Sequence, residues 1–210
     1  MTIASGRTSL VEGEFVFTAE DFRHIAQTLH AHAGIALSEG KAALVYSRLA
    51  KRLRVLGLRS FRDYCALIEG VEGVDERQAM TAALTTNVTR FYREPHHFEK
   101  LHEELRARAH RAPLNIWSCA ASTGEEPYSL AITACEAFGS LTPPVRILAT
   151  DVDTQVLATG AQGVYSLDRV SGLDPAVKRR YFQRGTGPNA GKCRVIPALR
   201  KLIEFRQLNL

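Results

Sequence analysis

Residues 114–131, LNIWSCAASTGEEPYSLA, constrain the fold more than any other stretch of this chain. They read as a short buried strand, a turn of small residues, and a helix that opens with Glu125, Glu126 and Pro127. A strand feeding a helix through a tight small-residue turn is the unit from which doubly wound α/β folds build a nucleotide-shaped crevice. The dinucleotide version of that unit aims helix-N-terminal N–H groups at a pyrophosphate and carries Gly-x-Gly-x-x-Gly. Here the turn has one glycine, Gly124, and two carboxylates stand at the helix start, where they would repel a phosphate. A cationic, phosphate-free cofactor suits those charges. S-adenosylmethionine, with its sulfonium, amino group and ribose hydroxyls, is the candidate they select.

Two readings of Glu125 and Glu126 stand side by side. Both can simply complement the helix macrodipole, or one of them can face the cofactor crevice. Asp151 follows an apolar run, VRILA (145–149), at the carboxyl end of a second strand, where α/β folds place the acid that binds ribose hydroxyls. Asp153 competes for that role but is also a natural cap for the next helix. Upstream, NVTRFYRE (87–94) gathers an amide, hydroxyls and two arginines, and reads either as a capped linker or as part of a site.

Around this centre the hydrophobic period changes once. Residues 18–84 carry helical periodicity: a helix over 19–32 capped by Thr18, a second from Ser38 to about 56 stopped by Gly57, a third capped by Ser60, and a fourth over 74–84. Pro95 suits the first turn of a helix to about 110. From 114 the order strand, helix (125–139), strand, helix (154–161) predicts a parallel sheet with right-handed crossovers. Residues 163–202 then break the pattern with a helical stretch near 175–182, a Gly-rich turn (184–192) and a strand at 193–196, which reads as an inserted hairpin-like lobe. A last strand spans 202–208. The domains expected are a flexible tail (1–14), a helical N-terminal domain (15–84), a linker and connecting helix (85–112), and a partial α/β domain (113–210). Only three strands are available to a sheet that normally has about five or more.

Composition narrows the classes further. The 210 residues are 45% hydrophobic and 23% charged, an ordinary globular balance. No apolar run approaches the roughly 18–20 residues that span a bilayer, and the first dozen residues lack a secretory core. Cys65, Cys119, Cys135 and Cys193 are scattered without a Cys-x-x-Cys pair, which argues for reduced thiols and against zinc. Adjacent His96 and His97 point about 100° apart on a helix and cannot chelate one ion from a single face. No metal is expected. The net charge of +5 is concentrated in residues 38–62, where seven cations face the single acid Glu39. On a helix, Lys41, Arg48 and Arg52 fall within about 40° of one another, beside an apolar stripe centred roughly 110° away. Such a ridge is a solvated face or a docking surface for an acidic partner.

Taken together, six blocks resemble the CheR-type chemotaxis receptor methyltransferases, in the family's order: TTNVTRFYREPHHF (85–98), WSCAASTGEEPYSLA (117–131), ATDVD (149–153), GVYSL (163–167), RRYFQRGTGPNAGKCRV (179–195) and IEFRQLNL (203–210). The resemblance implies an all-helical N-terminal domain and a class I, Rossmann-like methyltransferase domain with an inserted small β-subdomain and, in this chain, an incomplete sheet. It implies S-adenosylmethionine-dependent methylation of glutamate side chains on the cytoplasmic helices of chemoreceptors, with S-adenosylhomocysteine as product. By motif, Asn87, Thr89 and Arg93 match the cofactor and active-site segment, Arg93 being the catalytic candidate. Glu126 matches the cofactor-binding acid, Asp151 the ribose-binding acid, and Asn209 and Leu210 the start of the adenine pocket. Lys41, Arg48, Lys51 and Arg52 would dock on the receptor, and the inserted lobe would hold a receptor tail peptide. The location implied is cytoplasmic, with no nucleic acid and no membrane insertion. The family continues beyond Asn-Leu into a block that completes the adenine pocket, so a C-terminally truncated form is implied. A non-catalytic docking or cofactor-sensing module, and a nucleic-acid methyltransferase, are the rival readings.

Overall fold

The computed structural model describes residues 8–85 and 88–209, and these fall into two compact units, 8–85 with 209 and 88–208. The first unit is all-helical. Helix α1 (Ala19–Ala33) begins at Thr18 with a full capping box: Thr18 Oγ1 accepts from the Asp21 N–H at 3.2 Å, and the Thr18 N–H donates to the Asp21 carboxylate at 2.9 Å. Such a cap is worth about 1 kcal/mol. Helix α2 (Ala42–Leu56) starts later than the sequence predicts, because Ser38 makes no side-chain capping bond and residues Glu39–Lys41 form a 3₁₀ turn instead. Gly57, in the left-handed region at φ 67°, ends α2 as expected. Ser60 caps α3 (Phe61–Glu69), and α4 (Val74–Leu84) completes the unit.

Aromatic contacts fill its centre. Phe17 and Phe61 lie 4.4 Å apart between ring centroids, and Ile25, Leu29, Leu49, Leu53, Ile68 and Met80 are fully buried around them. A polar knot sits in the same core. Arg52 pairs with Glu76 through two bonds, Nε–Oε1 at 3.0 Å and Nη2–Oε2 at 2.5 Å, and the Tyr64 hydroxyl donates to Glu76 Oε1 at 2.8 Å. The bond to Glu76 raises the Arg52 pKa, and burial together with the same carboxylate raises that of Tyr64.

The second unit opens with α5 (Pro95–Ala107), which ends three residues short of its expected limit and passes into a 3₁₀ turn. Strands β1 (Leu114–Cys119) and β2 (Val145–Asp151) pair in parallel, joined by α6 (Glu125–Phe138), with Ile116 opposite Ile147. Helix α7 (Thr154–Gln162) follows, capped by Asp153. The chain then leaves the sheet for β3 (Val164–Ser166), α8 (Pro175–Tyr181), β4 (Phe182–Arg184), β5 (Lys192–Val195) and α9 (Pro197–Arg200). It returns as β6 (Ile203–Gln207), parallel to β2, so the main sheet has the order β1-β2-β6.

The inserted lobe is more than a hairpin: β3, β5 and β4 form an antiparallel three-stranded sheet, β5 central. Strand β3 is hidden in GVYSL because three residues carry too little alternation to register as a strand. Helix α6 is the hub of the unit, with Tyr128, Ala131, Ile132, Ala134 and Cys135 all fully buried. Burial pushes the thiols of Cys65 and Cys135 up to about 12 and about 11, so both stay protonated near neutrality.

The Arg52 knot gives a direct test. Breaking a buried ion pair strands the remaining charge. Arg52→Ala should lower the unfolding free energy by about 2–3 kcal/mol in denaturant titration. A change below about 0.5 kcal/mol would show that Glu76 needs no counter-charge.

Candidate functional site

The turn between β1 and α6 is built from left-handed backbone. Ala120, Ser122 and Gly124 take φ values of 53°, 48° and 93°. Gly124 is obligatory for a second reason: a Cβ there would come within 2.9 Å of the Gly160 backbone and 3.0 Å of the Tyr165 hydroxyl. The path of this turn decides where its N–H groups go. That of Ala121 donates to the Thr150 carbonyl at 2.9 Å, that of Ser122 to Asp151 Oδ2 at 2.9 Å, and that of Gly124 back to Ala121 at 3.0 Å. These donors are occupied by the end of β2 and by the turn itself, not turned outward as in a phosphate cradle.

Asp151 is the fastening point. It is 8% exposed at the carboxyl end of β2. Its second oxygen, Oδ1, accepts from the Asp153 N–H at 2.9 Å, and its carbonyl accepts from the Leu208 N–H at 3.1 Å. Each carboxylate oxygen therefore holds one backbone donor and keeps acceptor capacity for a second. Asp153 instead caps α7, its Oδ1 accepting from the N–H groups of Gln155 and Val156.

The two glutamates part company. Glu126 is exposed, with Oε1 accepting from the Ser118 hydroxyl at 2.7 Å. Glu125 has no solvent exposure; Oε2 accepts from the Thr123 hydroxyl at 2.6 Å and Oε1 lies 3.3 Å from the Arg169 guanidinium. Glu125 is thus more than a surface charge at the helix start. Its pairing with Arg169 across 44 positions could not be found from local pattern.

The segment 88–94 is pinned to the same place. The Tyr92 N–H donates to Ser129 Oγ at 3.0 Å, and Phe91 packs edge-on to Tyr165 and Phe182 at 5.1 and 5.5 Å. Tyr92 and Glu94 are left-handed, at φ 51° and 57°. Thr89 is half-buried, its carbonyl accepting from Arg169 at 3.0 Å. Arg93 is exposed, and its guanidinium donates to the Val88 carbonyl at 3.0 Å. Asn209 is exposed just past Leu208, while Asn87 and Leu210 lie outside the described residues.

The docking residues divide. Lys51 is exposed on α2, and Lys41 is exposed at the end of the 3₁₀ turn that precedes it. Arg48 instead donates to the Ala83 and Thr85 carbonyls at 3.1 and 2.6 Å, and Arg52 is held by Glu76, so these two fasten α2 to the end and the first turn of α4. Angle on a helical wheel groups the cations correctly but cannot show that one edge of the ridge meets a neighbouring helix. Among the described residues no group of three His, Cys, Asp or Glu is placed to hold a metal.

The donor set fits S-adenosylmethionine. The carboxylates of Glu126 and Asp151 offer acceptors of the kind a cation and hydroxyls require, and the buried Ser122 Oγ has no hydrogen-bond partner among the described residues. Comparison with known proteins agrees. Residues 87–210 match the family model described as CheR methyltransferase, SAM binding domain, and residues 20–85 match CheR methyltransferase, all-alpha domain. A chemotaxis protein methyltransferase 2 of Pseudomonas aeruginosa is 54% identical over 198 residues, covering 94% of this chain and 70% of that protein. Chemotaxis protein methyltransferases of Salmonella typhimurium and Escherichia coli are 42% and 40% identical, each match covering all of this chain and 73% of the relative.

Replacing Asp151 by Asn turns one acceptor into a donor facing a backbone N–H. Asp151→Asn should destabilise the protein by about 1–3 kcal/mol in thermal or denaturant unfolding. Unchanged stability would mean that the turn is not fastened through this carboxylate.

Proposed function

The chain belongs to the CheR methyltransferase family, and from that premise we propose that it methylates glutamate side chains on the cytoplasmic helices of chemotaxis receptors, using S-adenosylmethionine. The class of the reaction, methyl transfer in chemotaxis, follows from the family; the substrate and the residue roles are our reading. The observation that carries it is the turn at 120–124, where the N–H groups of Ala121, Ser122 and Gly124 are occupied while Glu126 and Asp151 offer negative charge and acceptors. A site of that character selects a cation with hydroxyls over a pyrophosphate.

When bound, S-adenosylmethionine supplies an electrophilic methyl group on a sulfonium. Asp151, oriented by the Ser122 and Asp153 N–H groups, would accept from the ribose hydroxyls with its remaining lone pairs. Glu126, steadied by Ser118, would face the cationic portion. Asn87 and Thr89 complete the cofactor side in this reading, and Asn209 and Leu210 begin the adenine wall. The substrate carboxylate, with a pKa near about 4.3, is already ionised at neutral pH, so no general base is required. The chain's own task is alignment and the exclusion of water. We assign Arg93 to orient the substrate carboxylate, a role for a permanently charged guanidinium rather than a proton donor.

Receptor docking would fall to the exposed Lys41 and Lys51, with Arg48 and Arg52 fastening α2 beside them. For a receptor tail, the support is an open cavity of about 490 Å³ in the inserted lobe, where Leu167, Val170 and Phe182 lie beside Lys178, Arg179 and Arg184. That lining suits a short peptide with an aromatic or aliphatic anchor and a carboxylate. A cytoplasmic setting accords with four free cysteines. No helix among the described residues is long and apolar enough to cross a membrane.

Arg93 is exposed, and among the described residues its side chain bonds only to the nearby Val88 carbonyl, so its removal should leave folding intact. Arg93→Ala should reduce methyl transfer to a receptor cytoplasmic fragment by about 100-fold or more, with an unchanged melting temperature. Turnover within a few-fold of the unsubstituted protein would remove Arg93 from the reaction.

A further inference from the structure

Glu125 is wholly buried, and a buried carboxylate is costly unless its charge is met. Its two oxygens are treated differently. Oε2 has the Thr123 hydroxyl, whereas Oε1 has no directed hydrogen bond among the described residues and rests 3.3 Å from Arg169 Nη1. The compensation at Oε1 is therefore Coulombic, across a geometry too bent for a hydrogen bond. The directed bond of that same nitrogen goes elsewhere, to the Thr89 carbonyl at 3.0 Å. One guanidinium nitrogen from the 3₁₀ turn at Leu167–Val170 thus bridges the start of α6 and the 88–94 segment.

Other contacts converge on this bridge. The Tyr165 hydroxyl donates to the Thr123 carbonyl at 2.8 Å, and Ser129 Oγ links the Tyr92 N–H to the Glu125 carbonyl at 3.0 and 2.7 Å. Burial and then the Glu125 charge raise the Tyr165 phenol. The segment being held carries two left-handed non-glycine residues, a path that its surroundings must impose. Phe91 anchors the middle of that segment, while Arg169 is the charged group holding its first half.

We propose that Arg169 is a positioning residue for methyl transfer, which bridges the buried Glu125 and the Thr89 carbonyl and so holds the 88–94 segment against the helix that opens the cofactor turn. The role rests on the cofactor reading above. Arg169 touches no reacting atom; it acts through Thr89. Loosening that segment weakens the hold on the cofactor while leaving the core of the unit packed. A lysine in its place can still meet Glu125 but lacks the planar fork.

Calorimetric titration of the full chain with S-adenosylhomocysteine, paired with methyl-transfer kinetics, tests this. Arg169→Ala should weaken S-adenosylhomocysteine binding about tenfold and raise the cofactor KM in step, with kcat changed much less. Arg169→Lys should recover a large part of the loss. Glu125→Gln should weaken binding too, and the double variant should lose less than the product of the two single losses, because both remove the same bridge. Binding by Arg169→Ala within about twofold of the unsubstituted protein, or losses that multiply independently, would overturn the role. So would an affinity loss accompanied by an equal fall in melting temperature for the Ala and Lys variants alike, which marks a purely structural residue. Failure of the unsubstituted protein to bind S-adenosylhomocysteine would overturn the cofactor reading and this role with it.

Discussion

The carboxylate of Asp151 is the constraint on which the second unit's site depends. It stands at the end of the central strand and takes one backbone N–H on each oxygen, from Ser122 on one side and Asp153 on the other. The first bond fixes the turn that follows β1. The second fixes the entry to α7, whose cap is Asp153 itself. Both walls of the crevice are therefore set by a single side chain held rigid by the sheet. Charge-assisted bonds to backbone donors are among the stronger orienting contacts available, and here they act where the chain must make an unfavourable left-handed path.

The nature of the crevice follows from that arrangement. With the Ala121 and Ser122 N–H groups committed to β2 and that of Gly124 to the turn itself, the carboxylates at the helix start set the local sign. Glu126 keeps that sign at the surface. Glu125 lies underneath and needs its own partner, supplied by Arg169 from the inserted lobe. The lobe is thereby tied chemically to the 88–94 segment as well as by packing of Phe91 between Tyr165 and Phe182. An inserted subdomain that contributes no strand to the main sheet still reaches its mouth.

What the sequence disclosed was local. Thr18, Ser60 and Asp153 could be read as caps because the bonds they make lie within three residues. The parallel strands could be read because strand, helix and strand recur at short spacing. The all-helical domain and the incomplete sheet were legible for the same reason, and the methyltransferase character of the second domain came from the resemblance of its ordered blocks to the CheR family. What escaped was set by distant partners. Arg48 and Arg52 looked like one coherent ridge with Lys41, yet they bond to residues 24 to 37 positions away on and after α4. Adjacent Glu125 and Glu126 are alike in sequence, and only the placement of Arg169 and of Ser118 makes one internal and the other external. Ser38 shows the reverse limit: a good capping residue is not used where a 3₁₀ turn already satisfies the chain.

In our proposal the committed N–H groups of Ala121, Ser122 and Gly124, with the neighbouring carboxylates, make this strand–turn–helix a site for a phosphate-free cation. Calorimetric titration of the full chain with S-adenosylmethionine, run beside ADP and NAD, tests it most directly. The account predicts saturable one-site binding of S-adenosylmethionine and no detectable heat from either pyrophosphate ligand. Binding of ADP or NAD as tight as that of S-adenosylmethionine would contradict it.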